Sequence, residues 1–426
     1  MQRWRTVSRS VRTSVCRALW AVALIWVAAE PASTQTLAQD PAESARVRLG
    51  RFAFTPAVWS TAGYDSNVEG ESEEPKGDYI VVVVPQLETW LDLGRARLST
   101  LGVYEFFTYQ ELEPTKTFVH FNSVSFSVPG VRFEPEAFYS HRNTYARPTG
   151  FEVGARSRRI EDEVSAGINW DMTARMGLSA RARYLDIDYD ASAEYQGSNL
   201  RESLNRRTSS GIFGVSRELT PLTSMSVSLD VTADRFVYSP ERDGDSVRLY
   251  GGVSFLSPAL FTGSAMLGYR RFESPYSADL NFEGVVAAVQ LMYARESRTM
   301  FDIQLYREPF FSYAESLGYY WMNSAAAGVV QALSEKWEAR VFGAYRFLDY
   351  VQNSPESQNA GNTIRTDVGG GLSWRMGPFT RFGMNYEYTV STGATAFREW
   401  RLVGYIVYGT DRLKRLENPI PDERRY

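Results

Sequence analysis

Apolar and polar residues alternate along most of this chain, and the alternation keeps two faces apart across whole hairpins. Around Pro129–Gly130, one face carries Val124, Phe126, Val128, Val131, Phe133, Ala137 and Tyr139. The other carries Ser123, Ser125, Ser127, Arg132, Glu134, Glu136, Ser140 and Arg142. A period of two is the mark of a strand with unlike surroundings on its two sides. With Pro129–Gly130 as the turn, Val128 pairs with Val131. The same division recurs where Trp337, Ala339, Val341, Tyr345 and Phe347 oppose Glu338, Arg340 and Arg346. It recurs again where Phe382, Met384, Tyr386 and Tyr388 oppose Arg381, Asn385 and Glu387. About eighteen such segments follow one another, from Phe52–Tyr64 and Tyr79–Leu93 to Phe379–Val390 and Arg398–Tyr408.

The connections between segments alternate in length. "NVEGESEEPKG" is followed by "GR", "ELEPTK" by "PG", "RPTGFEVGARS" by "MTARM", and "VQNSPESQNAGN" by "MGP". One rim therefore carries loops and the other only turns. Charges at strand centres on one face, opposite a wall of apolar and aromatic residues, fit lipid outside and water inside. The pattern predicts an all-β fold: a transmembrane, antiparallel, up-and-down β-barrel of about 18 strands. An even strand count puts both chain ends on the turn side, the periplasmic side of an outer membrane.

The first residues read differently. Arg3, Arg5, Arg9, Arg12 and Arg17 precede the apolar run "ALWAVALIWVAA" and small-residue cleavage options, the layout of a secretory signal peptide. The expected organisation is a signal peptide at 1–38, a short periplasmic segment at 39–51, the barrel at 52–410 and a charged periplasmic tail at 411–426. About a dozen residues between leader and first strand are too few for a globular plug, so about eighteen strands should enclose an aqueous channel. Cys16, the one cysteine, lies in the leader, which removes disulfide and thiol chemistry from the mature chain. The leader holds five Arg and one Glu, so the net charge moves from −4 to −8 without it, which argues against nucleic acid as a partner. Outer-membrane lipid or lipopolysaccharide is the expected surrounding, in a Gram-negative bacterium.

Candidate chemistry is sparse. "YDSNVEGESEEPKGD" begins like an EF-hand loop with Asp65, Asn67, Glu69 and Gly70, but the ligand required at position 12 falls on Lys76 and no helix flanks it. It is better read as a turn after the first strand, followed by an acidic external loop. His120 and His141 fall diagonally on the lipid-facing side, ~7 Å apart between backbones, where an interfacial girdle explains them better than a metal. No spacing supports a nucleophile–base pair, and no enzyme activity, cofactor or metal is expected. The inward charges are the candidate pore lining: Arg132, Glu134, Glu136, Asp302, Glu308, Arg340, Arg346, Arg365, Asp367, Arg381, Glu387, Glu399 and Arg401.

The first two strands resemble a known family. Pro56 early in strand one, Tyr64-Asp65-x-Asn67-Val68 at its end, and Pro85 within "VVVVPQLETWLDL" look like the start of the Putative beta-barrel porin 2 family, outer-membrane barrels of exopolysaccharide operons. The resemblance implies an 18-stranded barrel exporting polysaccharide, with a periplasmic polysaccharide-export protein as partner and no catalytic residues. A general or substrate-specific diffusion porin is the alternative. A surface-structural or adhesive barrel acting through its loops is the third reading.

Overall fold

The computed structural model describes residues 45–409, apart from 113–115, 147–151, 155, 257–260, 277–279, 296–297, 315–317, 352–361 and 394–395. The leader expected at 1–38 and the tail expected at 411–426 lie outside the described residues. Eighteen long strands follow in order: β1 (Phe52–Asp65), β2 (Asp78–Asp92), β3 (Arg97–Tyr109), β4 (Lys116–Ser127), β5 (Phe133–Ala146) and β6 (Ser157–Thr173). Then come β7 (Met176–Tyr189), β8 (Arg206–Thr220), β9 (Thr223–Phe236), β10 (Gly244–Leu256), β11 (Phe261–Glu273) and β12 (Phe282–Arg295). The last six are β13 (Thr299–Phe311), β14 (Tyr319–Ala332), β15 (Trp337–Tyr350), β16 (Thr363–Arg375), β17 (Thr380–Thr392) and β18 (Phe397–Tyr408). Each pairs antiparallel with the next, and β18 returns to β1 with rungs from Val58↔Tyr408 to Asp65↔Arg401, so the barrel is closed. Closure removes the free sheet edges that a bilayer cannot hydrate.

The two faces separate as the alternation requires. Val81, Leu267, Ile303 and Val341 point outward and are exposed, whereas Asp302, Arg346, Asp367 and Glu399 point inward and are buried. Aromatic residues gather on the outer wall at both rims. Tyr64 packs against Tyr79 and Trp400 at the loop end (ring centroids 5.0 and 5.2 Å), and Phe133 stacks on Trp170 at the turn end (5.4 Å). His120 and His141 do lie diagonally on this outer face, with ring centroids 5.2 Å apart, and His141 Nδ1 lies 2.8 Å from Asp162.

The Pro129–Gly130 hairpin departs from expectation in register. Ser127 pairs with Glu136 and Phe126 with Ala137, and the turn runs from Val128 through Arg132. A two-residue hairpin loop that keeps the strands in register without a bulge needs positive φ at its first central residue, which proline's ring forbids. Where proline does occupy a two-residue loop, at Pro221–Leu222, the register slips by a bulge between Glu218 and Thr220. The slip at Pro129 is even, so the faces survive, but Arg132 moves from the lumen wall into a turn at the rim.

Prolines also mark gaps in the ladder. Along one edge of β1, residues 52–54 pair with a short N-terminal ribbon, Val47–Leu49, and residues 58–65 pair with β18. Pro56 sits in the stretch between, paired there with neither. Pro85 lies where the β2–β3 rungs skip from Val83↔Phe106 to Gln86↔Val103. Each lacks the N–H that a ladder would use.

Candidate functional site: the lumen and its loop-side mouth

Inward side chains of neighbouring strands meet in rows, and the charged ones pair along them. Asp367 on β16 is held by Arg346, by Arg365 Nε at 3.2 Å and by the Thr389 hydroxyl at 2.7 Å. Arg401 on β18 donates to Glu399 at 2.7 Å and to Asp65 on β1 at 3.0 Å, and Glu387 faces the same guanidinium. Arg381 lies 3.4 Å from Glu338, and Asp302 faces Arg340. Across the ring, Glu308 accepts from Arg270 at 2.7 Å, Arg248 at 3.1 Å and the Tyr250 hydroxyl at 2.9 Å. A third set joins Arg183 to Glu163 through two hydrogen bonds, at 2.8 and 2.9 Å, and Arg181 to Glu136. Glu134 stands beside this set, at the turn-side start of β5.

The sequence-predicted lining residues are therefore on the inner wall, with Arg132 the exception. Arg248, Arg270, Asp230 and Tyr250 escaped that reading although they obey the same alternation. The wall is also less uniformly polar than the alternation suggests. Ala57, Val84 and Val119 are buried on the inner side of β1, β2 and β4, and Trp59 packs beside Ala57 and Val407. "VVVV" is apolar on both faces, so its inner face could have been read as an apolar lumen strip.

The residues of the strand-one motif hold the ring shut. Asp65 is 1% exposed, accepts from the Asn67 amide at 2.9 Å, and lies 3.7 Å from Arg156 besides its bond to Arg401. Asn67 donates to the Arg398 carbonyl at 3.1 Å and to the Glu71 carbonyl at 2.7 Å, tying the first loop to β18. Ser66 exchanges two bonds with the Trp400 backbone, at 3.0 and 2.8 Å. Val68 is buried under the loop, where its N–H meets the Lys76 carbonyl. Lys76, the residue that fails as a metal ligand, pairs with Glu69 at 3.0 Å.

At the loop-side mouth lie residues 152–154, between β5 and β6. Glu152, Val153 and Gly154 are buried although they belong to a loop. Their neighbours come from all round the ring. Glu152 accepts from the Ser312 hydroxyl at 2.5 Å and the Tyr313 N–H at 2.8 Å, both in the β13–β14 loop. A Cβ added to Gly154 would lie 3.1 Å from the Tyr195 hydroxyl, 3.5 Å from the Phe397 ring and 3.6 Å from the Gly70 carbonyl. Arg156 bonds the Tyr109 hydroxyl at the end of β3. Residues touching the β1–β2, β7–β8 and β13–β14 connections and the start of β18 at once must lie across the opening. Beneath it, Val153 packs into a cluster with Ile187, Tyr189, Tyr195, Leu200, Leu204 and Tyr313. Leu200 and Leu204 belong to a single helical turn, α1 (Leu200–Leu204), capped by Asn199. Thus described loop residues lie over the barrel opening. Burial pushes the Glu152 carboxyl up to about 7, against the Ser312 and Tyr313 hydrogen bonds and the charge of Arg242.

The model of the family described as Putative beta-barrel porin 2 matches residues 139–401. The Tyr64–Val68 motif and both prolines of the resemblance lie ahead of that segment. Among solved structures, the BenF-like porin from Pseudomonas fluorescens Pf-5 is similar over 85% of this chain and 99% of its own, with a TM-score of 0.50 and 9% identity. Pseudomonas aeruginosa OpdK with vanillate (84% and 98%, TM-score 0.46, 9% identity) is also similar. So is Pseudomonas aeruginosa OccK2 (OpdF) in complex with glucuronate (84% and 98%, TM-score 0.47, 8% identity). At such identities the likeness concerns the fold. No curated protein matches the chain.

Proposed function

Since the chain belongs to the Putative beta-barrel porin 2 family of outer-membrane β-barrels, we propose that it is a diffusion channel for small hydrophilic solutes. The observation that carries this reading is the inner wall. Two sets of largely buried ion pairs and a third, half-exposed one share the inner wall with an apolar strip around Trp59, Val84 and Val119, which suits a solute with both a charged and an apolar part. Eighteen strands give a ring wide enough to conduct water and solutes once its mouth is clear. Export of polysaccharide with a periplasmic partner rests on the strand-one resemblance alone. Asp65 and Asn67 of the motif behind that resemblance are engaged in closing the barrel, and residues 152–154 lie where a polymer would have to leave.

Purified protein in a planar lipid bilayer should give discrete conductance steps. Deleting the gene should lower uptake of a small solute while surface polysaccharide stays at its normal level. Normal uptake together with lost surface polysaccharide would return the export reading.

A further inference from the structure

Charged side chains in loops ordinarily meet water, yet Glu152 is 4% exposed. Its carboxylate sits in a cradle drawn from other parts of the ring. Ser312 gives a hydroxyl at 2.5 Å and Tyr313 a backbone N–H at 2.8 Å. Tyr350, at the end of β15, gives its phenol, and Arg242 supplies a nearby positive charge. Arg242 is fixed in turn by the carbonyls of Ser203, Ser312 and Gly318 at 2.6, 2.6 and 3.0 Å. The Tyr313 hydroxyl is anchored on Gln196 at 2.7 Å. None of these supports comes from the β5–β6 connection, so the cradle is built independently of the group it holds. A hydroxyl, an amide N–H and a phenol reach the two oxygens with the guanidinium charge of Arg242 nearby, an arrangement that suits a carboxyl group.

We propose that this cradle is a binding site for the carboxylate of a conducted solute, occupied in the closed mouth by Glu152, and that an incoming carboxylate displaces Glu152 and frees residues 152–154 from the opening. The inference rests on the diffusion-channel reading and narrows it to solutes bearing a carboxylate. Glu152 blocks its own channel as a tethered copy of the ligand, for its side chain beyond Cα is a propionate. Tethering gives it an effective concentration on the order of millimolar, so a solute opens the channel only when abundant.

The charged and titratable groups facing Glu152 are Arg242 from the β9–β10 loop, Tyr313 from the β13–β14 loop, Tyr189, Tyr320 and Tyr350 from the strand ends. Burial raises the closed-state affinity of Glu152 for its proton above that of a free glutamate. The contribution of this proton to closure is therefore fully present below about pH 4.5 and fades as pH rises through about 7. Alkaline solution favours opening.

The test is single-channel recording on the full protein, with propionate as probe and propionamide, its uncharged analogue, as control. Folding of each variant is checked by heat-modifiable gel migration. At about 50 mM, well above the tethered concentration, propionate should raise the open probability of the wild type several-fold, and propionamide should not. Glu152→Ala should be open without either. Glu152→Gln, which cannot titrate, should lose the pH response. Ser312→Ala combined with Tyr350→Phe should shift the propionate response to higher concentration. If Glu152→Ala conducts no more often than the wild type, the latch is overturned while the diffusion channel stands. If Glu152→Ala opens but propionate leaves the wild type unmoved, the solute site is overturned. If folded wild type and variants all fail to conduct, the diffusion-channel reading falls, and this inference with it.

Discussion

Asp367 shows how a charge is kept on the inner wall. It is 4% exposed and bound by Arg346, Arg365 and Thr389, so neither sign is left uncompensated. Asp367→Ala would leave two guanidinium groups facing each other without their shared carboxylate. Removing one partner of a buried pair costs roughly 3–5 kcal/mol, and an effect near that size is expected in urea unfolding from lipid vesicles. A loss below about 1 kcal/mol, the range of exposed pairs, would mean that water already reaches the triad. Arg346, Arg365 and Asp367 were legible in the sequence because they stand at alternate positions among outward aromatic and apolar residues. Glu152 and Arg242 were not, since loops have no period and nothing in "GFEVGARS" tells a buried glutamate from a solvated one.

At the level of elements, nearly every strand was legible, because lipid on one side and water on the other impose a pattern with a period of two. What the pattern could not settle was register. Any slip by an even number of residues keeps the faces, so the hairpin at Pro129–Gly130 satisfies the same alternation whether Val128 meets Val131 or Ser127 meets Glu136. Turn chemistry decides between them, and proline's φ rules out the tighter choice unless a bulge accompanies it, as at Pro221–Leu222. The outward face carries its own test. Leu267, in the middle of β11, is 63% exposed on the outer wall. Leu267→Arg should destabilise the folded barrel by roughly 2–4 kcal/mol, the cost of a cation at the bilayer midplane. The inward neighbour Met266→Arg places the charge in the lumen and should cost less. Equal losses for the two variants would mean that the wall assignment is wrong.

For the whole molecule, the sequence indicated a barrel and left the state of its mouth open. The alternation of loop and turn lengths shows which rim carries long connections, yet length says nothing of where a loop goes. Residues 152–154 cross the opening because their contacts are with the β7–β8 and β13–β14 connections and the start of β18, brought together only by closure of the ring. The seam that closes it has eight rungs, fewer than the fourteen that join β1 to β2. Asp65 and Arg401, which meet there, are 336 positions apart in sequence. Contacts so distant are formed late, since the entropy of joining the ends is lost before any rung repays it. The Tyr64–Val68 motif then acts in time more than in space, as the catch that keeps a newly completed ring from reopening. Weakening it with Asp65→Ala should leave the rate at which β-structure appears unchanged and speed the loss of the compact form on heating. Followed by gel migration, an unchanged rate of loss would mean that the ring is held shut elsewhere.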